Sequence, residues 1–233
     1  MPTDPQPSAP ALPLVPFERV SNLVRQVTHD IRNGLNTIDL QVSFLQEISG
    51  GGEVLEELKR LRSMISSTAK SLQGMSGNFW IGQVNLITYS AQMFVEDFRE
   101  RIGTVLPQSS AITWKEDLKS EEISVDLEMI FRGFSEYFKN ALQFREKDRP
   151  ISVRAFTESG RFVLEIREGK SSVPSDPETW GREPLVSTRR SAYGMGLFQA
   201  RRILAVHHGD VQASFDPAAE LLLTRLSLPL AKK

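Results

Sequence analysis

The chain has 233 residues, 40% of them hydrophobic, and a formal net charge of -1 at pH 7. That length suits one or two domains with packed cores, and the charge balance leaves no basic surplus for binding nucleic acid. No apolar run approaches the ~20 residues that span a bilayer. The N-terminus lacks the charged start of a signal peptide, so we expect a cytoplasmic protein with no membrane span. The absence of cysteine excludes disulfides and thiolate chemistry.

The first predicted element is an amphipathic helix that follows a Pro-rich, disordered tail (1–16) and runs to about Ile48. A second amphipathic helix follows the glycines of "SGGGE", so residues 17–76 should form an antiparallel helical hairpin. Two helices bury too little surface alone. We therefore expect a homodimer in which two hairpins form a four-helix bundle, the alternative being that the hairpin packs on its own C-terminal domain. The apolar stripe of the first helix comprises Val20, Val24, Val27, Ile31, Leu35, Ile38, Val42 and Leu45.

The stretch "VTHDIRNGLNTI" places a histidine away from that stripe. If Val27 and Ile31 lie on the helix seam, His29 falls on the opposite side and faces water. Most exposed histidines have no role, but Asp30 is adjacent and Asn33 lies one turn further on the same face. A carboxylate can polarise an imidazole that must present an unprotonated nitrogen to phosphorus.

This order of residues resembles the phosphoacceptor box of sensor histidine kinases, in which Gly34 stands where proline is common. The resemblance implies that His29 carries a phosphoryl group. It implies further that Asn33 can orient a water for dephosphorylation.

The rest of the chain should form a second domain. After a linker at 77–84, residues 85–101 and 125–144 have helical periodicity, whereas "ISVRAFTESGRFVLEIRE" alternates like a β-hairpin. The segments "VQASF" and "LLLTRLSLPL" predict two more strands. The expected fold class is α+β: a helical hairpin, then at 85–233 a layer of helices on one face of a mixed, mostly antiparallel sheet.

This second domain resembles the ATP-binding catalytic domain of histidine kinases and gyrase-type ATPases. In "FRGFSEYFKNALQF", Asn140 matches the asparagine that binds the Mg²⁺ accompanying ATP, and Glu136 matches a position that helps place the metal or accept a proton. In "FVLEIREGKSSVPSD", strand alternation turns Glu168 inward, where it needs a partner. Glu168 matches the adenine-reading aspartate, while Lys170 and Ser172 stand where the family has glycines.

Two further blocks complete the resemblance. In "WGREPLVSTRR", Arg189 takes the place of a phosphate-contacting lysine in the ATP lid. In "SAYGMGLFQARRILAVHHGDV", Gly194 and Gly196 open a helix whose N-terminal N–H groups favour triphosphate oxygens, and Ala192 replaces a third glycine.

The resemblance covers residues 20–228 and implies a two-component histidine kinase. It would phosphorylate His29 from ATP and Mg²⁺ and transfer the phosphoryl group to an aspartate of a response-regulator receiver domain, with a separate protein as a possible sensor. Two alternatives stay open: a histidine phosphotransferase whose ATP site has decayed, which the residues at 170, 172 and 192 favour, and a non-enzymatic dimeric scaffold.

Overall fold

The computed structural model describes residues 16–49, 51–77, 82–106, 112–187 and 193–231. The chain divides into two compact units, Met1–Trp80 and Ile81–Lys233. The predicted N-terminal tail lies outside the described residues except for Pro16, as does the centre of the predicted linker, residues 78–81. No helix of the described part is long and apolar enough to cross a membrane.

The first unit is a hairpin of two helices, α1 (Phe17–Ile48) and α2 (Glu53–Gly77). They are joined by a tight turn in which Gly51 and Gly52 have φ values of +93° and +81°. Only glycine adopts such values without strain, which explains why the glycine run separates the helices. An ion pair between Arg62 Nε and Asp39 Oδ1, 3.1 Å apart, links the two helices.

The apolar residues of α1 point in two directions. Val42 is buried, and Val24 and Leu35 are half-buried together with it. The remaining members of the stripe are between 37% and 47% exposed, namely Val20, Val27, Ile31, Ile38 and Leu45. The hairpin by itself therefore leaves an apolar strip of α1 uncovered, which a second apolar surface would bury.

The second unit is an α+β sandwich, as predicted. Its elements in chain order are β1 (Ile87–Ser90), α3 (Ala91–Val105), β2 (Ile112–Asp117), β3 (Glu122–Val125), α4 (Leu127–Gln143), β4 (Ile151–Glu158), β5 (Arg161–Gly169), α5 (Gly196–Val206), β6 (Asp210–Asp216) and β7 (Leu221–Pro229). Five strands form a sheet of order β2-β4-β5-β7-β6, in which only β2 and β4 are parallel neighbours. Strands β1 and β3 form a separate antiparallel pair.

The core lies between the sheet and its helices. One face of the sheet supplies fully buried side chains such as Phe162, Leu164 and Ile166 of β5. Helices α3 and α4 contribute a phenylalanine cluster in which the Phe94 ring meets that of Phe162 edge-on at 5.7 Å. Trp114 of β2 stacks on Phe138 of α4 at 5.6 Å. Helices and sheet thus share one continuous aromatic and aliphatic core.

The predicted helix at residues 85–101 is wrong over its first six residues. Residues 87–90 form β1 and pair with β3, with Ile87 opposite Val125. The helix begins only at Ala91, because the Ser90 hydroxyl accepts a hydrogen bond from the Met93 N–H and caps it. By contrast, α4 at 127–143 lies within its predicted range, and it begins at an N-cap, Asp126.

Candidate functional site

His29 lies on the exposed side of α1, as the periodicity predicts. Its neighbour Thr28 is buried and its hydroxyl donates to the Val24 carbonyl at 2.7 Å, so successive residues of this turn face in different directions. The side chains of His29 and Asp30 are 65% and 63% exposed. Helix α1 continues without a break through Gly34. The imidazole is therefore open to a protein partner.

Two side chains approach one nitrogen of the ring, and no other residue that the structure describes approaches the second nitrogen. His29 Nδ1 lies 3.3 Å from Asp30 Oδ1 and 3.3 Å from Asn33 Nδ2. Asp30 is also approached by Gln26, whose Nε2 donates to the same Oδ1 at 3.5 Å. When the neutral ring donates its Nδ1 hydrogen to Asp30, Nε2 presents a bare lone pair. This is the form that can attack an electrophile.

In the second unit, α4 carries Glu136 and Asn140 one turn apart. The Asn140 side chain is half-buried and makes no hydrogen bond with any residue that the structure describes. Glu136 Oε1 instead pairs with Lys139 Nζ at 2.7 Å. Asn140 thus remains free to bind a metal ion or a polar ligand, whereas the Glu136 charge is already partly neutralised.

The N-terminus of α5 is covered by parts of the same chain. Gly194 has a φ of +64°, and a Cβ placed on it would lie 2.5 Å from the Val186 carbonyl oxygen. A Cβ on Gly196 would lie 2.5 Å from Glu136 Oε2. The structure therefore places Glu136 against Gly196, and the backbone of Val186 against Gly194. Both glycines are needed for close packing of the chain on itself.

Glu168 is where strand alternation predicts it, turned inward at the end of β5, and its partner is Lys170. The Glu168 Oε2 lies 3.5 Å from Lys170 Nζ, and the two side chains are only 6% and 7% exposed. Lys170 Nζ also donates a hydrogen bond to the Phe144 carbonyl. Burial raises the pKa of Glu168 above its ordinary value, and the nearby Lys170 ammonium works against that rise.

The loop after β5 is held by hydrogen bonds to residues of other loops. The Ser171 N–H and hydroxyl both donate to Glu146 Oε1, at 2.8 and 2.9 Å, and these bonds hold the pKa of Glu146 below its ordinary value. The Lys170 N–H donates to the Glu220 carbonyl at 2.8 Å. Residues 170–174 all have negative φ, so the loop does not make the turn that the family's glycines permit.

Arg189 and Ala192 lie outside the described residues, so their predicted places in the lid stay predictions. The sequence analysis missed the role of Lys170, which it treated only as a lost glycine. The inward position of Glu168 was the available signal, because a buried carboxylate requires a cation or a donor nearby.

His207 has a structural role in this unit. Its ring is buried, with Nδ1 2.7 Å from the Ile203 carbonyl oxygen and Nε2 accepting the Asp126 N–H at 3.0 Å. Nε2 thus joins the end of α5 to the start of α4 while Nδ1 is used within α5, which leaves neither for chemistry.

Comparison with solved structures finds this fold elsewhere. Full-length ShkA in complex with AMPPNP matches with a TM-score of 0.67 at 16% identity, over 91% of this chain and 46% of that chain. The Acinetobacter baumannii histidine kinase AdeS matches with a TM-score of 0.51 at 17% identity, over 89% and 97%. The mycobacterial sensor histidine kinase MprB matches with a TM-score of 0.52 at 17% identity, over 64% and 100%.

The chain spans less than half the length of ShkA. At the level of sequence, no family model and no curated protein matches the chain. The structural matches are nevertheless consistent, and two of the three extend over the helical hairpin as well as the sandwich. The chain therefore has the fold of a sensor histidine kinase transmitter region, a helical hairpin followed by an α+β sandwich.

Proposed function

We propose that the protein carries a phosphoryl group on His29 and passes it to an aspartate of a response-regulator receiver domain. The observation that carries this proposal is the geometry around the ring: Asp30 and Asn33 both lie 3.3 Å from Nδ1, while the side chain is 65% exposed. An imidazole whose Nδ1 hydrogen is accepted by Asp30 is oriented by that bond and presents Nε2 to solvent. Positioning of this kind supplies much of the catalysis in phosphoryl transfer.

Asp30 and Asn33 have different parts in this chemistry. Asp30 accepts the Nδ1 hydrogen, which keeps Nε2 unprotonated and stabilises the positive charge that grows on the ring during attack. Asn33 is an uncharged donor on the same exposed face, and its amide can orient a water for the reverse reaction. The Asn33 main chain is held by the helix, and its carbonyl also accepts the Thr37 hydroxyl at 3.0 Å.

The working form of the protein is a homodimer through the helical hairpin. Helix α2 also has exposed apolar side chains: Val54 is 60% and Leu61 is 41% exposed. Together with the uncovered strip of α1, which includes Ile31 and Ile38, they are the apolar surface that the hairpin leaves unburied. Two copies can bury both surfaces in a four-helix bundle. His29 is outside that strip, so dimerisation leaves it accessible.

The donor of the phosphoryl group is either ATP, as in a histidine kinase, or another phosphoprotein, as in a relay. The side chain of Asn140 favours ATP with Mg²⁺, whereas the glycines at the start of α5 already lie against Val186 and Glu136. At the other end of the site, the residues do not fit adenine, because the carboxylate of Glu168 is already paired with Lys170.

Radiolabelled donors test the proposal. The protein is incubated separately with ATP and Mg²⁺ and with receiver domains phosphorylated on aspartate, and the label should be acid-labile and base-stable, as phosphohistidine is. His29→Ala should abolish labelling, whereas His208→Ala, at another exposed histidine, should not. If neither ATP nor a phosphorylated receiver domain labels the wild type, the result would favour the non-enzymatic scaffold. If labelling survives in His29→Ala, the phosphoryl group is on another residue.

A further inference from the structure

The carboxylate that the resemblance assigns to reading the base is already paired with a side chain of the protein itself. Glu168 stands at the position that reads adenine in the family, and the ammonium of Lys170 lies 3.5 Å from its Oε2. Lys170 is in turn bound by the Phe144 carbonyl. Both charged side chains are more than nine-tenths buried. The group that would accept a hydrogen bond from the adenine amino group therefore has a partner already.

Adenine is the weaker competitor for Glu168. Its amino group is a neutral donor, whereas the Lys170 ammonium carries a full positive charge 3.5 Å from Oε2 and attracts the carboxylate more strongly in this buried site. Lys170 is also two residues away on the same chain, so it binds without loss of translational freedom and at a high effective concentration. Displacing it would leave a buried ammonium without its counter-ion, which is strongly unfavourable.

The main chain of the loop that carries Lys170 is held in place. Ser171 is held through two hydrogen bonds to Glu146, and the Lys170 main chain is held by the Glu220 carbonyl. Glu220 is bound in addition by Arg149, whose Nη2 lies 2.6 Å from its Oε2. Moving this loop away from Glu168 would require these contacts to break in addition to the ion pair.

We propose that the phosphoryl group on His29 comes from an aspartyl phosphate on a receiver domain and not from ATP. This inference rests on the proposed function, because it names the donor for the same histidine. The second unit then acts as a folded support whose nucleotide site is closed, and the protein stands between two receiver domains in a chain of transfers.

The transfer balances without a further reactant. The Nε2 lone pair of His29 attacks the phosphorus of the aspartyl phosphate, the bond between phosphorus and the carboxylate oxygen breaks, and its electron pair leaves with the carboxylate of the donor. The Nδ1 hydrogen of the ring stays hydrogen-bonded to Asp30. The next receiver aspartate attacks the same phosphorus in the onward step and returns the ring to its starting form.

The test uses the full chain and two measurements. Calorimetry with ATP and Mg²⁺ should detect no binding, corresponding to a Kd above about 1 mM. Receiver domains from the same genome, phosphorylated with labelled acetyl phosphate and freed of it, should label the wild type and not His29→Ala. Circular dichroism of the same samples checks that each is folded.

Each outcome decides between the possibilities. Transfer from a receiver without ATP binding supports the inference. Submillimolar ATP binding, or labelling of His29 by ATP, overturns it while leaving the proposed role of His29 intact. Labelling of His29 by neither donor overturns the proposed function itself.

Discussion

Replacing Lys170 by methionine should destabilise the second unit strongly, and more at alkaline than at acidic pH. The substitution keeps the aliphatic part of the side chain but leaves Glu168 buried without its cation. Breaking a buried ion pair by removing one partner costs about 3–5 kcal/mol of unfolding free energy. Because both side chains are under 10% exposed, solvent screening reduces this little.

Protonation of Glu168 limits the loss of unfolding free energy in Lys170→Met and makes that loss depend on pH. The folded-state pKa of Glu168 is raised by burial, and loss of the Lys170 charge raises it further. The folded protein then holds a proton that the unfolded chain has released, so stability falls as pH rises from the ordinary value of 4.5 through the raised pKa. Protonating such a carboxyl costs about 5 kcal/mol at pH 8 but only about 1 kcal/mol at pH 5.

Urea unfolding followed by tryptophan fluorescence measures this effect, since Trp114 stacks on Phe138 within the core of this unit. Lys147→Met, at an exposed lysine, is the matched control and should change stability by less than about 0.5 kcal/mol. Lys170→Met combined with Glu168→Gln, which removes both charges, should recover most of the loss. Equal destabilisation at pH 5 and pH 8, or a loss below about 1 kcal/mol at pH 8, would refute the buried pair.

Three further predictions concern α1 and α5. Ile38→Glu, in the uncovered strip, should convert the dimer to a monomer in light scattering, whereas Leu40→Glu, at a position 72% exposed, should leave it dimeric; a dimer in both would contradict the assigned interface. Asp30→Asn should slow labelling of the histidine roughly 10²-fold while Glu47→Gln leaves the rate unchanged, and equal rates would exclude polarisation by the aspartate. His207→Leu should lower the unfolding free energy by about 1–3 kcal/mol, because the main-chain N–H and carbonyl bonded to its ring lose their partners, and unchanged unfolding would contradict this.

Periodicity predicted the parts of this structure that depend on one element at a time. It predicted the two helices of the hairpin, the exposed position of His29, the β4–β5 hairpin and the inward turn of Glu168. It did not predict that the stripe of α1 divides between a face against α2 and an uncovered strip. That division depends on which way α2 packs, and a single helix carries no signal for it.

The remaining differences arise where pattern is short or absent. β1 has four residues, too few for alternation to be distinguished from helical spacing, although Ser90 as an N-cap could have marked the start of the helix. Lys170 follows the end of β5, where strand alternation no longer fixes a side-chain direction. Its pairing with Glu168 depends on the backbone of a loop, which residue types alone do not determine.

We propose that His29 accepts a phosphoryl group from one protein and transfers it to another. The most direct test is a chase: the labelled protein is purified, mixed with an unphosphorylated receiver domain that had served as donor, and sampled over time. The account predicts that the acid-labile label leaves His29 and appears on the receiver as an aspartyl phosphate. A label that stays on the protein, or that maps by mass spectrometry to another residue, would contradict it.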